Sequence, residues 1–228
     1  MFYSKNRNIF LSALLTITVT GFSTGNLDAN LRHLSSYHPH AYSTYEELEK
    51  NHFLRYNANI LSNKELYKNN IKNKISKVMS SFKTGLDESS REKVPNFIVE
   101  QSQKYDFDPL FLTALIITES SFYNQAESDQ GAMGLMQIQP DTGVSLASET
   151  QVQWNGKHTL YNPSVNIALG TYYLSKLVSR YGDLDVALEA YNHGPTKLDS
   201  YQRNGYRPQG YSRRVLRLYY DLKSQTDA

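Results

Sequence analysis

The chain has 228 residues, with 24 Lys and Arg against 22 Asp and Glu, and its formal net charge is +2. This length allows one domain with extensions or two small domains, and the small net charge gives no argument for a nucleic-acid partner. Because the sequence contains no cysteine, it excludes disulfide frameworks, cysteine-ligated metal sites, thiol nucleophiles and a lipid anchor on cysteine. Its 18 tyrosines suit either ordinary packing or a sugar-binding groove, since the ring combines a flat apolar face with a hydrogen-bonding tip.

The first 29 residues have the pattern of an export signal. Lys5 and Arg7 form a basic region, and the uncharged run Ile9–Phe22 follows it. An uncleaved membrane anchor over residues 9–27 is the alternative, because no charge follows Arg7 for about 20 residues, enough to span a bilayer. Either interpretation predicts an exported, periplasmic or cell-envelope protein that contacts a membrane only through this apolar run.

Residues 30–91 form a polar extension rich in Asn and Lys. Apolar residues recur in it at helical spacing and predict an amphipathic helix over residues 60–83: Leu61, Ile71, Ile75, Val78, Met79 and Phe82. The composition fits a loosely ordered spacer equally well. A second alternative left open is that this extension binds a partner in the cell-envelope machinery.

Residues 92–226 have the pattern of short helices with recognisable N-terminal and C-terminal capping residues. Asp108–Pro109 and Asn162–Pro163 each supply an N-cap followed by a proline at the first helical position. Gly182 is placed to end the second of these helices, and Asp183 to cap the next one. Further helices are predicted over residues 94–104, 110–118 and 211–223. With no clear strand pattern, the sequence predicts an all-α domain of about 135 residues.

Glu119 is the residue with the clearest catalytic potential. It follows a nearly continuous apolar run over residues 110–118 and is the only acid in residues 109–126. Burial at the end of such a helix disfavours the ionised carboxylate and raises its pKa, which a general acid at neutral pH requires. The simple alternative is an exposed glutamate at a helix end, because most glutamates are exposed. The surrounding motifs decide between these interpretations.

Four short motifs follow one another from Glu119 onward: Glu119-Ser120-Ser121-Phe122, Gly131-Ala132-Met133-Gly134-Leu135-Met136-Gln137, Asn166-Ile167 with Gly170 and Tyr173-Leu174, and Ala190-Tyr191-Asn192. This ordered set resembles the soluble lytic transglycosylase domain of the lysozyme-like superfamily, in its goose-lysozyme-related branch. The resemblance spans about Pro95 to Leu222. It implies a lysozyme-like helical catalytic domain that acts on the glycan strands of peptidoglycan.

The resemblance also implies roles for the residues around the proposed acid. Glu119 matches the family's single catalytic acid/base, and Ser120 matches its neighbouring support. Tyr191 matches a tyrosine whose hydroxyl orients the catalytic glutamate, while Asn192 helps to set that loop. Tyr211 matches a tyrosine of the closing helix near the site.

A second group of residues matches the glycan groove of the family. Ser128 matches a serine that contacts the N-acetyl group of the reacting sugar. Gly134, Leu135, Met136 and Gln137 match the segment that lines the groove, where the glycines let the sugar approach and Gln137 hydrogen-bonds the saccharide.

The number of carboxylates bears on the mechanism. Glycoside hydrolysis usually uses two, but Glu127, Asp129 and Asp141 lie in polar stretches and match no catalytic position of the family. The resemblance implies that the acetamido group of N-acetylmuramic acid assists departure of the leaving sugar while Glu119 donates its proton. Glu119 then takes the proton of the C6 hydroxyl, which attacks C1 and gives a 1,6-anhydro end. We expect no metal and no cofactor.

Two other functions fit the same motifs. One is a goose-type lysozyme-like hydrolase of the same β-1,4 bond, and the other is a non-catalytic peptidoglycan-binding module. The sequence departs from the family pattern at three places: Gln139 where methionine is frequent, Tyr123-Asn124 where proline is common, and His193 where a small residue is usual. None of these departures touches the proposed acid. The role of His193 stays open between a substrate contact and an ordinary loop histidine.

Overall fold

The structure, a computed structural model, describes residues 39–225, so the predicted signal or anchor over residues 1–29 lies outside the described residues. The described part contains eight α-helices and one short 3₁₀ helix. The α-helices are α1 Pro39–Met79, α2 Glu88–Lys104, α3 Pro109–Ser120, α4 Pro140–Thr150, α5 Pro163–Tyr181, α6 Leu184–His193, α7 Pro195–Arg203 and α8 Gly210–Ser224. The 3₁₀ helix is Lys157–Tyr161. Extended pairing in residues 39–225 is limited to isolated bridges, so the predicted all-α class is confirmed.

The chain divides into two units, one up to Asn63 and one from Lys64 onward. Helix α1 is longer than the predicted helix over residues 60–83, since it begins at Pro39. Its last turns belong to the second unit, where Ile71, Ile75 and Met79 are buried in the core. The polar extension therefore contributes residues 64–91 to the folded unit that carries the predicted catalytic domain. Among the helices of the described range, none is both long and apolar enough to cross a membrane.

Helix α3 is the central helix of the second unit. Every residue from Leu110 to Ile116 is buried, which is the pattern of a helix surrounded on all sides. As predicted, Asp108 caps the helix by accepting the Leu110 N–H at 2.8 Å, and Pro109 occupies the first turn. Helices α8 and α2 pack against α3. Residue Glu119 therefore lies where the most buried helix of the domain reaches its end.

The other predicted helix boundaries are also found. Asn162 accepts backbone N–H groups of Ser164 and Val165, so it caps α5. Gly182 ends α5 with a φ of 68°, a conformation that favours glycine. Asp183 caps α6 by accepting the Val186 N–H at 3.0 Å. Helix α5 packs against α2, α4 and α6, and α6 packs against α8. This packing brings the ends of α3, α6 and α8 to the proposed site.

Candidate active site

The segment between α3 and α4 folds as a tight loop rather than as a strand pair. Met133 bridges to Glu127 on one side and to Ile138 on the other. Several residues of this segment have positive φ angles, among them Gly131 at 79°, Gly134 at 81° and Gln137 at 49°. The loop returns the backbone of the predicted groove segment to the end of α3.

Asn166, a fully buried residue of α5, holds this loop in place. Its side-chain oxygen accepts the N–H of Met136 at 2.7 Å. Its side-chain nitrogen donates to the carbonyl oxygens of Met133 at 2.9 Å and Leu160 at 2.8 Å. A buried amide with all these bonds made fixes the backbone around it, because each bond is costly to leave unmade in the interior. Asn166 belongs to one of the motifs on which the resemblance rests, but no pattern in the sequence indicated this role.

Glu119 occupies the last turn of α3, directly before a left-handed turn at Ser121 and Phe122. Its side chain is half-buried, so a ligand can still reach it. The hydroxyl of Tyr211, on α8, donates a hydrogen bond to its Oε1. Burial raises the pKa of Glu119 from its ordinary 4.5 to about 7, although the Tyr211 hydrogen bond and the Arg214 charge act in the opposite direction. A carboxyl with this pKa can hold a proton near neutral pH and release it to a substrate.

The hydrogen bond to Glu119 comes from a different tyrosine than the one expected. We expected the Tyr191 hydroxyl to orient Glu119, but this hydroxyl donates to the carbonyl oxygen of Met136 at 2.8 Å. Tyr211 makes the bond to Glu119 instead. Burial, followed by the charge of Glu119, raises the pKa of Tyr191 well above its ordinary value. Tyr191 therefore lies close enough to Glu119 to feel its charge, while it ties the loop to α6.

The groove segment contributes through its backbone rather than through all of its side chains. Leu135 and Met136 are fully buried in the core, so a contact of this segment with a glycan, which remains a prediction, would be made by its backbone and not by these two side chains. Their backbone carbonyl oxygens accept hydrogen bonds from Ser120, at 2.8 Å, and from Tyr191. Ser120 thus supports the site by joining the end of α3 to this loop. Gly134 is buried as well.

The remaining predicted contacts lie at the edge of the loop and on α6. Ser128 is exposed, and its hydroxyl accepts the Ala132 N–H at 3.0 Å. Gln137 is half-buried, and its side-chain nitrogen donates to the carbonyl oxygens of Ala126 and Gly134. Asn192 is exposed on the last turn of α6. Contacts of these three residues with a saccharide remain predictions.

The other carboxylates lie away from a second catalytic position. Glu127, Asp129 and Asp141 are exposed, and Glu127 accepts a hydrogen bond from the Tyr161 hydroxyl at 3.1 Å. Sequence reasoning missed Glu189, a carboxylate of α6 that is only 1% exposed. At that burial its oxygens cannot contact a glycan. Within residues 39–225, no group of His, Asp and Glu side chains is arranged to hold a metal ion.

Arg214, on α8, is a further charged residue beside Glu119. Its guanidinium lies over the ring of Tyr211, 5.5 Å from the centroid. Its charge lowers the pKa of Glu119, although less than burial raises it. The side chain is exposed, so this cation faces solvent beside the acid.

The structure is an all-α domain whose central helix ends on one half-buried glutamate, as the resemblance to a lysozyme-like catalytic domain implied. Residues 96–213, just over half of the chain, match the family model described as the transglycosylase SLT domain. The chain belongs to the transglycosylase SLT domain family.

Individual relatives agree with this assignment. The chain is 37% identical over 98 residues to a transglycosylase of Enterobacteria phage PRD1, a match that covers 43% of this chain and 34% of the phage protein. It is 32% identical over 97 residues to a putative soluble lytic murein transglycosylase of Haemophilus influenzae, covering 42% of this chain and 16% of that protein. The chain thus spans about a third or less of the length of these two curated relatives.

A solved structure supports the fold. The 70 kDa soluble lytic transglycosylase of Escherichia coli superposes with a TM-score of 0.52 and 22% sequence identity. The superposition covers 60% of this chain and 26% of that protein. At this identity the likeness concerns the fold of the domain.

Proposed function

We propose that this protein is a peptidoglycan lytic transglycosylase with Glu119 as its single acid/base. Its substrate would be the β-1,4 bond between N-acetylmuramic acid and N-acetylglucosamine. The observation that carries the proposal is the half-buried Glu119, whose pKa is raised by burial to about 7 and which accepts a hydrogen bond from Tyr211. The relatives named as transglycosylases support the reaction type.

In the proposed reaction the carboxyl group of Glu119 acts twice, first as an acid and then as a base. Glu119 first donates its proton to the glycosidic oxygen, and the C1–O bond breaks as the acetamido oxygen of the muramic sugar bonds to C1. The C6 hydroxyl of the same sugar then attacks C1, displaces the acetamido oxygen and returns its proton to Glu119. The products are a free 4-hydroxyl on one fragment and a 1,6-anhydro end on the other, with no water consumed.

The scarcity of carboxylates favours this route over hydrolysis. A second carboxylate would normally position a nucleophilic water or attack C1 itself. Glu189 is too buried for either task, and Glu127 is already bonded to Tyr161. A substrate that supplies its own nucleophiles needs neither.

The products of sacculus digestion test the proposal. We expect purified sacculi incubated with the protein in ¹⁸O-labelled water to give muropeptides with anhydro ends, one water lighter than hydrolysed ends and free of label. Mass spectrometry measures both. Labelled reducing ends would make the protein a lysozyme-like hydrolase, and binding without cleavage would make it a non-catalytic module. Glu127→Gln, which alters an exposed carboxylate, is the matched control and is expected to leave the products unchanged.

The pH dependence of cleavage tests the role of Tyr211. Its hydrogen bond stabilises the ionised form of Glu119 and lowers the pKa, so Tyr211→Phe should raise that pKa further. A bond to a charged group is worth about one pH unit. Because the acid must be protonated to act, we expect the alkaline limb of the pH–rate profile to move to higher pH by about one unit in Tyr211→Phe. An unshifted alkaline limb would mean that Tyr211 does not affect the pKa of Glu119. Tyr173→Phe serves as the control, since Tyr173 packs on Tyr191 instead.

We also propose a location in the cell envelope. Relatives named membrane-bound lytic murein transglycosylases support it, because that is where their named substrate occurs. Export by residues 1–29, cleaved or retained as an anchor, remains a prediction. Fractionation of cells that express the full chain would test both.

A further inference from the structure

Glu189 is a buried carboxylate that the proposed reaction does not use. It belongs to α6, and its side chain is 2% exposed. Its Oε1 accepts the backbone N–H of Ser212 at 2.8 Å. Burying a carboxylate is costly unless bonds of this kind compensate it. The burial of Glu189 is therefore best explained by the backbone group that its carboxylate binds.

The bond from Ser212 fixes the first turn of α8. Ser212 is the third residue of that helix, where backbone N–H groups have no partner within the helix. The residue at the cap position, Gln209, makes no side-chain capping bond. Glu189 supplies the missing acceptor from a neighbouring helix, and its negative charge suits the positive end of the helix dipole.

Tyr211 lies immediately before Ser212, in the same turn. Its hydroxyl donates to Glu119, so the Glu189 bond is one residue away from the tyrosine that touches the proposed acid. A helix turn moves as a unit, because its backbone angles are coupled through shared hydrogen bonds. A shift of this turn would move the Tyr211 hydroxyl with it.

His193 lies beside the other oxygen of the carboxylate, Oε2, which accepts no hydrogen bond within residues 39–225. Its Nε2 lies 3.4 Å from Oε2 of Glu189, one helical turn further along α6. The imidazole also packs edge-on against Tyr201 of α7, with 5.5 Å between the ring centroids.

We propose that Glu189 is a positioning residue, which sets the first turn of α8 through Ser212 and so holds the Tyr211 hydroxyl against Glu119. The inference rests on the proposed function only for its kinetic readout, because the geometry it predicts around Glu119 can be measured without any substrate.

The test is a pH titration of the Glu119 carboxyl group in the full chain, monitored by ¹³C NMR. The Glu119 signal is assigned as the one that is missing from Glu119→Gln. The charged and titratable groups around Glu119 are Tyr211 and Arg214 on α8 and Tyr191 on α6. Loss of the Tyr211 bond in Glu189→Ala should raise the pKa of Glu119 by about one unit. Glu189 is not among the groups whose charge shifts the pKa of Glu119, and loss of a nearby negative charge would lower that pKa, not raise it. The sign of the change therefore separates positioning from direct electrostatics.

Two further variants sharpen the result. In a Tyr211→Phe background, Glu189→Ala should add no further shift, because the bond that it controls is already absent. Glu189→Gln keeps an acceptor for Ser212 and should give a smaller shift, which preserves the test if Glu189→Ala does not fold. A folded Glu189 variant with an unchanged or lowered pKa of Glu119 would overturn the proposal.

Kinetics distinguish this inference from the proposed function. Because Glu189 acts through the Tyr211 bond, we expect Glu189→Ala to move the alkaline limb of the pH–rate profile to higher pH by about one unit, as Tyr211→Phe does. We expect KM to be unchanged, since the buried carboxylate cannot touch the glycan. Asp87→Ala is the matched control, because Asp87 caps α2, which carries no proposed site residue. A purely structural role would lower stability in both variants and leave the titration of Glu119 alone. If the pKa of Glu119 rises in Glu189→Ala but the unsubstituted protein cleaves no glycan, the positioning role stands and the proposed function is rejected.

Discussion

Replacing Glu119 with glutamine is expected to abolish glycan cleavage and, at the same time, to stabilise the folded protein above neutral pH. The amide cannot donate the proton that the glycosidic oxygen needs, nor can it take the proton of the attacking hydroxyl. Removal of a general acid/base typically costs about 10²–10⁴ in rate, and here one residue serves both steps. We therefore expect activity on sacculi to fall by about a thousandfold or more.

The stability effect follows from the raised pKa of Glu119. In the unfolded chain this carboxyl ionises near its ordinary pKa of 4.5, whereas in the folded protein it ionises at about 7. Below pH 4.5 both states are protonated and nothing is lost. Between these values the unfolded state releases its proton first, so stability falls as pH rises. Above pH 7 the full penalty applies, which corresponds to about 3 kcal/mol.

Glutamine cannot ionise, so Glu119→Gln lacks this penalty. We expect the variant to be more stable than the original protein by up to about 3 kcal/mol at pH 8, with the difference vanishing at pH 4. Urea denaturation at the two pH values measures it. Glu127→Gln is again the control, since that side chain is exposed. Full activity of Glu119→Gln would reject the assignment of the acid, and equal stability at pH 8 would reject its burial as the cause of the raised pKa.

Local signals in the sequence were sufficient for the helices with strong caps. Asp108–Pro109, Asn162–Pro163 and Asp183 each place a side-chain oxygen where it can accept free N–H groups, and the structure has these bonds. Helix α4 was not predicted, because most of its residues are polar or small and Gly143 weakens the helical pattern. Gly143 is there for packing: a side chain at this position would meet the ring of Trp154. That contact is tertiary and leaves no periodic trace.

The site was predictable in its composition but not in its hydrogen bonds. Glu119 could be selected because it ends an apolar run and heads a set of motifs. Which tyrosine hydrogen-bonds Glu119 depends on how α6 and α8 pack. In the structure it is Tyr211, whereas Tyr191 was expected from the sequence. Glu189 gave no signal, because an acid within an amphipathic helix is usually solvated. Glu189 is buried because α8 packs against α6, and this packing exists only in the assembled fold.

Gly134 is the position where a single methyl group is expected to do the greatest damage to folding. Its φ of 81° is unfavourable for any residue with a side chain. A Cβ there would lie 2.3 Å from the side-chain nitrogen of Asn166 and 2.4 Å from the carbonyl oxygen of Leu160. Those two atoms are hydrogen-bonded to each other, so neither can retreat without breaking the bond.

We therefore expect Gly134→Ala to destabilise the protein by about 4 kcal/mol or more, the range reached when strain and a broken buried network combine. Gly131→Ala is a closely matched control: Gly131 has a φ of 79° in the same loop, but nothing lies within 4 Å of its Cβ position. It should cost only the conformational strain of about 1–2 kcal/mol. Urea denaturation of both variants gives the comparison, and failure of Gly134→Ala alone to fold agrees with it. Equal stability of the two would mean that the Asn166 network does not fix this loop. The two glycines share one backbone conformation, so the difference between their variants isolates how tightly the groove backbone is packed beneath the proposed acid.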